Sequence, residues 1–204
     1  MVARLSDKEI IEEAFKIVET AQSKGVILRI LGAIAIRIHS KGFEDLHKKL
    51  NRLGNEGKSF TDIDLIGYSS QWGDIRKLME KELAFKISRQ FLLLHGKDRL
   101  IYYHPEDLYH VDIFFDKLAF SHDIDFGKRG KGRLELDYPT ITVTDLLLEK
   151  LQIHDINEKD IKDVIVLLKA HNLGNSDEDS VNIDYLSKIL GDDWGFWMDV
   201  RENL

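Results

Sequence analysis

Phe60-Thr61-Asp62-Ile63-Asp64-Leu65-Ile66 constrains this chain more than any other stretch. On a β-strand successive side chains point to opposite faces, so Asp62 and Asp64 share one face while Ile63 and Leu65 share the other. The two carboxylates then stand roughly 7 Å apart, and like charges at that range oppose each other's ionisation. A divalent cation answers this opposition. Mg²⁺ (or Mn²⁺) prefers carboxylate oxygens and commonly brings phosphates with it. The competing reading is a half-exposed strand with a solvated acidic face.

A third carboxylate shifts that balance. Tyr109-His110-Val111-Asp112-Ile113-Phe114-Phe115 reads as a second strand, rich in β-branched and aromatic residues. Asp112 interrupts it between apolar neighbours, where a charge is expensive unless it is paired or bound to metal. The alternative is an Asp paired with a nearby Lys or Arg. Upstream, Val26-Ile27-Leu28-Arg29-Ile30-Leu31 reads as a buried strand that runs into Gly32-Ala33 and a helix start. Backbone N–H groups at such a turn can meet a phosphate. A plain strand-to-helix turn is the simpler reading.

The order of these parts resembles a known family. A strand, Gly-Ala, a helix, an Asp-x-Asp strand and a later single Asp resemble the nucleotidyltransferase superfamily that shares the polymerase β palm. The segments Leu134–Ile141, Asp145–Ile153 and Asn157–Val164 resemble the AbiEii/AbiGii-toxin-like branch, and the likeness runs from about residue 24 to Gly195. Gly32-Ala33 departs from the usual Gly-Ser or Gly-Gly, and the gap of 28 residues between Ala33 and Asp62 is longer than usual. The resemblance implies an α/β (α+β) fold: a mixed sheet flanked by helices, with a C-terminal helical segment. It implies an enzyme that moves a nucleoside monophosphate from an NTP to an acceptor hydroxyl. Asp62, Asp64 and Asp112 would hold Mg²⁺ (or Mn²⁺). Gly32 and Ala33 would offer N–H groups to the phosphates, and Lys150, Asp160 and Asp163 would carry nucleotide-binding weight. The acceptor stays open among RNA or tRNA ends, protein hydroxyls and small molecules. An antitoxin partner is a further implication. The rival classes are a noncatalytic nucleotide- or partner-binding module on the same fold and a structural domain with exposed acidic strands.

Lys150 also stands out on helical geometry alone. At 100° per residue it falls inside the apolar stripe of the 144–153 helix, whereas Glu149 falls outside. Either an anion meets its ammonium or the stem packs and the charge snorkels to water. Asp160 and Asp163 lie off the apolar face set by Ile161, Val164, Ile165 and Leu168, so periodicity makes them a solvated, dipole-favoured pair.

Composition closes several doors. The net charge of −7 argues against broad duplex DNA binding. No cysteine is present, so disulfides, thiolate nucleophiles and Cys-based zinc sites are excluded. The eight histidines form no i, i+4 pair typical of zinc hydrolases. No apolar run reaches membrane-spanning length, and the expected location is the cytoplasm, away from membranes.

Ser6-Asp7-Lys8-Glu9 is a capping-box signature that opens a helix ending near Gly25. Asn55–Ser59 reads as a polar loop leading into the Asp62 strand. Phe91–Leu94 and Leu100–Tyr103 read as a hairpin across His95-Gly96-Lys97-Asp98, and 133–137 as a strand. Gly127–Arg133 reads as a basic hairpin tip. From Thr144 the chain is mostly helical, and Trp194 and Trp197 are expected to dock the last helix on the core. Pro139 suggests a division into a core at 1–140 and a helical segment at 141–204.

Overall fold

A computed structural model describes residues 5–54 and 59–204. Asn55 to Lys58, most of the expected polar loop, lie outside the described residues. The first helix, α1 (Asp7–Ser23), begins at the capping box: Ser6 accepts from the Glu9 N–H, and Glu9 returns to the Ser6 N–H at 2.7 Å. These bonds satisfy two of the helix's orphan donors.

A mixed sheet of five strands forms the centre, in the order β1-β2-β5-β4-β3. Its members are β1 (Leu28–Leu31), β2 (Ile63–Gly67), β3 (Lys86–Ile87), β4 (Arg99–Tyr103) and β5 (His110–Phe115). β1 runs antiparallel to β2, β2 parallel to β5, and β4 antiparallel to both β5 and β3. The free side of β1 is covered near Pro139, where the Ile30 N–H donates to the Pro139 carbonyl at 2.9 Å. Helices α2 (Gly32–His39), α3 (Glu44–Leu50), α4 (Trp72–Lys77) and α5 (Arg89–His95) fill the connections. A small ribbon follows, β6 (Lys117–Ala119) with β7 (Asp123–Asp125). Beyond it come α6 (Val143–Leu151), α7 (Glu158–Ala170), a short parallel pair β8 (Leu173–Gly174) and β9 (Val181–Asn182), then α8 (Ile183–Asp192) and α9 (Trp194–Asn203). One apolar cluster takes in residues from Ile10 to Val200, on both sides of Pro139. Among the described residues, no helix is long and apolar enough to cross a membrane.

Several sequence expectations fail for physical reasons. Residues 89–95 form a helix rather than a hairpin arm, because Ser88 caps it and accepts from the Phe91 N–H. Only Leu92 of the leucine run packs on the core, leaving Leu93 and Leu94 exposed. Residues 133–135 form a 3₁₀ turn instead of a strand. Arg133 is no solubilising tip: its Nε–H donates to both oxygens of Asp145, its guanidinium pairs with Asp177 at 2.7 Å and it lies over the Tyr185 ring. Trp194 and Trp197 are exposed, and α9 docks through Phe196 and Val200.

Candidate active site

The parallel pairing of β2 with β5 sets Asp64 directly opposite Asp112. Residues opposite each other on adjacent strands point to the same face and lie about 4.8 Å apart along the hydrogen-bonding direction. Asp62 precedes β2 by one residue and lies beside His110, with Nε2 to Oδ2 at 3.5 Å. Two rows therefore sit side by side, Asp62 with His110 and Asp64 with Asp112. The imidazole holds the Asp62 carboxyl below its usual range despite partial burial, and Thr61 adds a hydrogen bond at 3.1 Å. Asp62 in turn raises the pKa of His110.

Asp64 carries the most unfavourable setting. Burial pushes its pKa up to about 7, and Asp62, Glu149 and Asp112 push in the same direction. Asp112 is buried, with one carboxylate oxygen bonded to Arg99 and the other, Oδ1, without a hydrogen-bond partner among the described residues. Arg99 reaches it diagonally from β4, two residues along from the Ile101 that faces Asp112, and lies over Phe114. The alternative considered for Asp112, pairing with a basic residue, is thus half realised.

Gly32 owes its place to Asp64. β1 ends with Leu31 opposite Asp64, and the chain turns into α2 at Gly32 with φ +69. A Cβ on Gly32 would come 2.9 Å from Asp64 Oδ2, so the missing side chain makes room for the carboxylate or for what the carboxylate holds. The Gly32 N–H, expected to face a phosphate, is already donated to Glu149 Oε2 at 3.0 Å. Glu149 was expected outside the apolar stripe of its helix. It is buried, as is every residue of α6, because this helix is covered on all sides.

Lys150 does not snorkel. Its side chain is 8% exposed and its ammonium sits 2.9 Å from Asp160, with Glu149 and Asp163 each at 3.5 Å. These carboxylates raise its pKa against the opposing effect of burial. Asp160 and Asp163 are buried too, which corrects their reading as a solvated pair, while Ile161, Ile165 and Leu168 are exposed. Asp163 also takes the Arg52 Nε at 2.9 and 3.0 Å. Ion pairing has overridden the apolar periodicity of α7. A pocket of about 120 Å³ opens here, lined by Ala33, Asp62, Asp64, Lys150, Lys159 and Arg52 among others. Asp112 is not part of its lining. Asp62, Asp64 and Asp112 do not offer three ligand atoms that all lie within 4.8 Å of one another.

Glu149, Arg52, Arg99, Lys159 and His110 escaped the sequence reading. His110 alone left a usable signal, since it shares the strand face of Asp112 two residues away. The others arrive from elements distant in sequence.

The sequence matches no family model and no curated protein. Among solved structures, the chain is similar to the solution structure of the antibiotic-resistance factor ANT(2'')-Ia, at 13% identity and TM-score 0.49 over 91% of this chain and 95% of that one. It is also similar to the crystal structure of an antigenic nucleotidyltransferase-like protein from Paracoccidioides brasiliensis, at 13% identity and TM-score 0.47 over 98% of this chain and 95% of that one.

Proposed function

We propose that this chain is a nucleotidyltransferase that uses Mg²⁺ (or Mn²⁺) to move a nucleoside monophosphate from an NTP to an acceptor hydroxyl. The observation that carries this reading is the Asp64–Asp112 pair on parallel strands, with Asp64 pushed up to about 7 and Asp112 Oδ1 unpartnered. The donor set suits a hard divalent cation: carboxylate oxygens only, one of them unsatisfied, beside a glycine that leaves space at Asp64. Asp62, Asp64 and Asp112 would hold the metal. When bound, it would neutralise phosphate charge as the displacement proceeds.

The remaining roles belong to the chain's own side chains. Lys159 and Lys150 border the pocket and present positive charge to a polyphosphate. The pocket's 120 Å³ is below the roughly 300–1,000 Å³ of ordinary ligand sites, so it suits a phosphate end and leaves the base outside. Asp163 acts by positioning Lys150 and Arg52, and Asp160, which also lines the pocket, holds the Lys150 ammonium at its edge. Ala33 lines the pocket beside Asp64, while Gly32 gives room. Arg99 must release Asp112 for the third carboxylate to join. In the same reading, the acceptor is an RNA end, a protein hydroxyl or a small-molecule hydroxyl. A toxin-like role with an antitoxin partner follows only from the sequence resemblance.

The Arg99–Asp112 bond favours a second reading, a module that binds nucleotide without turnover. Calorimetry with Mg²⁺ and each NTP tests the first step, and transfer of label from α-labelled NTPs into a lysate tests the second. The expected result is Mg²⁺-dependent binding that Asp64→Asn abolishes, followed by label transfer. Binding without transfer selects the second reading. Absence of Mg²⁺-dependent binding in the parent protein rejects both.

A further inference from the structure

The far end of α2 carries a cluster that nucleotidyl transfer does not use. His39 closes that helix, His171 follows α7, and Asp179 lies between β8 and β9. One ligand atom from each lies within 4.8 Å of the others. The two imidazoles meet edge to face, with centroids 5.8 Å apart. His171 Nδ1 is 3.2 Å from Asp179 Oδ1 and 3.3 Å from the Asp179 carbonyl, and its side chain is only 3% exposed. His171 Nε2 is buried and has no hydrogen-bond partner among the described residues. His39 Nε2 is surrounded by the Thr140 hydroxyl at 2.7 Å, the Ile141 carbonyl at 3.1 Å and Asp137 Oδ2 at 3.3 Å.

A neutral imidazole has one donor and one acceptor nitrogen. Oxygens crowd Nε2 of His39, which assigns its proton there and leaves the Nδ1 lone pair free, while at His171 the carboxylate of Asp179 already stands at Nδ1, where a cation would take the proton's place. The His39 ring has the usual arrangement of a metal-bound histidine, whose second nitrogen donates to a carboxylate or carbonyl. We propose that His39, His171 and Asp179 form a binding site for a transition-metal dication of the zinc class, with water completing the coordination. Two imidazoles and a carboxylate suit zinc, whereas Mg²⁺ and Ca²⁺ prefer all-oxygen sets. A tetrahedral site with bonds of about 2.0–2.1 Å needs the ligands closer than they now stand. His171 Nδ1 and Asp179 Oδ1, 3.2 Å apart, are already spaced as two ligands of one such ion, and Asp179, whose side chain is 82% exposed, is free to adjust toward His39. A groove of about 740 Å³, lined by His39, Asp137, Asp177, Glu178 and Asp179, gives a cation an acidic approach from solvent. Bound metal would fasten the C-terminal end of α2 to the segment that follows α7.

Zinc titration of the whole chain, with Mg²⁺ in excess to occupy acidic oxygen sites, tests this. Calorimetry should show one equivalent bound, and proton NMR should show the His39 and His171 ring signals moving with it. Asp179→Asn should weaken binding by about tenfold or more, and His171→Gln should abolish it. Asp179 is an exposed loop residue, so its variant remains informative even where the His171 variant fails to fold. Ring signals that stay still on zinc addition, or undiminished affinity in Asp179→Asn, overturn the proposal.

Discussion

The two ends of α6 handle buried charge in opposite ways. At the first turn, Asp145 is fully buried and fully partnered: Arg133 grips both its oxygens and Thr142 donates at 2.8 Å. At the last turn, Lys150 serves Glu149, Asp160 and Asp163 together, and the Gly32 turn next to Glu149 borders Asp64, which faces another carboxylate. The first end is closed and has no need of a ligand. The second keeps negative charge in surplus, with an unpartnered oxygen at Asp112. Charge pairs of the first kind hold a fold together, while unbalanced clusters mark candidate functional sites.

The comparison predicts unequal responses to mutation. Arg133→Ala strands Asp145 in the interior, and urea denaturation should show a loss of about 3–5 kcal/mol. A loss below about 1 kcal/mol would mean that the closed end is no anchor. Lys150→Met removes the shared cation of three carboxylates, although Arg52 still neutralises Asp163. The expected loss is smaller, about 2–3 kcal/mol. This replaces the near-neutral outcome that a snorkelling lysine would give.

Gly32→Ala should cost about 1–2 kcal/mol for the left-handed backbone. The added Cβ also displaces Asp64 Oδ2, so Mg²⁺ affinity should fall alongside stability. Stability loss with unchanged Mg²⁺ affinity would separate Gly32 from the carboxylate.

The stability change of opposite sign belongs to Asp64. Its folded pKa of about 7 lies above the ordinary carboxylate value. A raised carboxylate favours the fold while it holds its proton, at acid pH. That contribution is lost as pH rises from about 4 through 7. In chelator, the parent protein should therefore lose stability across this window. Asp64→Asn should lack that slope and melt higher at pH 8, by on the order of 10 °C. An Asp64→Asn protein that melts lower than the parent at pH 8 would make Asp64 structural, as Asp145 is.

Local signals were legible wherever the chain's own geometry decides the outcome. The Asp62/Asp64 alternation, the Ser6 capping box and the spans of α6 and α7 all follow from backbone periods and short-range bonds. The convergence of Asp64 with Asp112 depends on parallel register, which strand periodicity alone does not specify. α7 was misread because apolar periodicity was taken to point inward. Exposed apolar residues are common, and a buried acidic pair with a good cation displaces them. The helical Leu92–Leu94 run shows the same limit from the other side. An apolar run shorter than a helix does not declare its period, and here the Ser88 cap decided it.

By itself, the sequence determined that acidic residues would share a strand face, that a glycine would stand at the start of the second helix, and that cysteine chemistry was absent. Those properties rest on residue identity and on the two-residue and 3.6-residue periods of the backbone. Only the tertiary structure decided which charges meet. It set Arg99 on Asp112, Glu149 on Gly32, Lys150 among three carboxylates, and His39 beside His171. Apart from Lys150 with its neighbour Glu149, these contacts join elements whose spacing along the chain carries no information about distance. Their energies depend on burial, which strengthens every unscreened charge and makes each lone pair count.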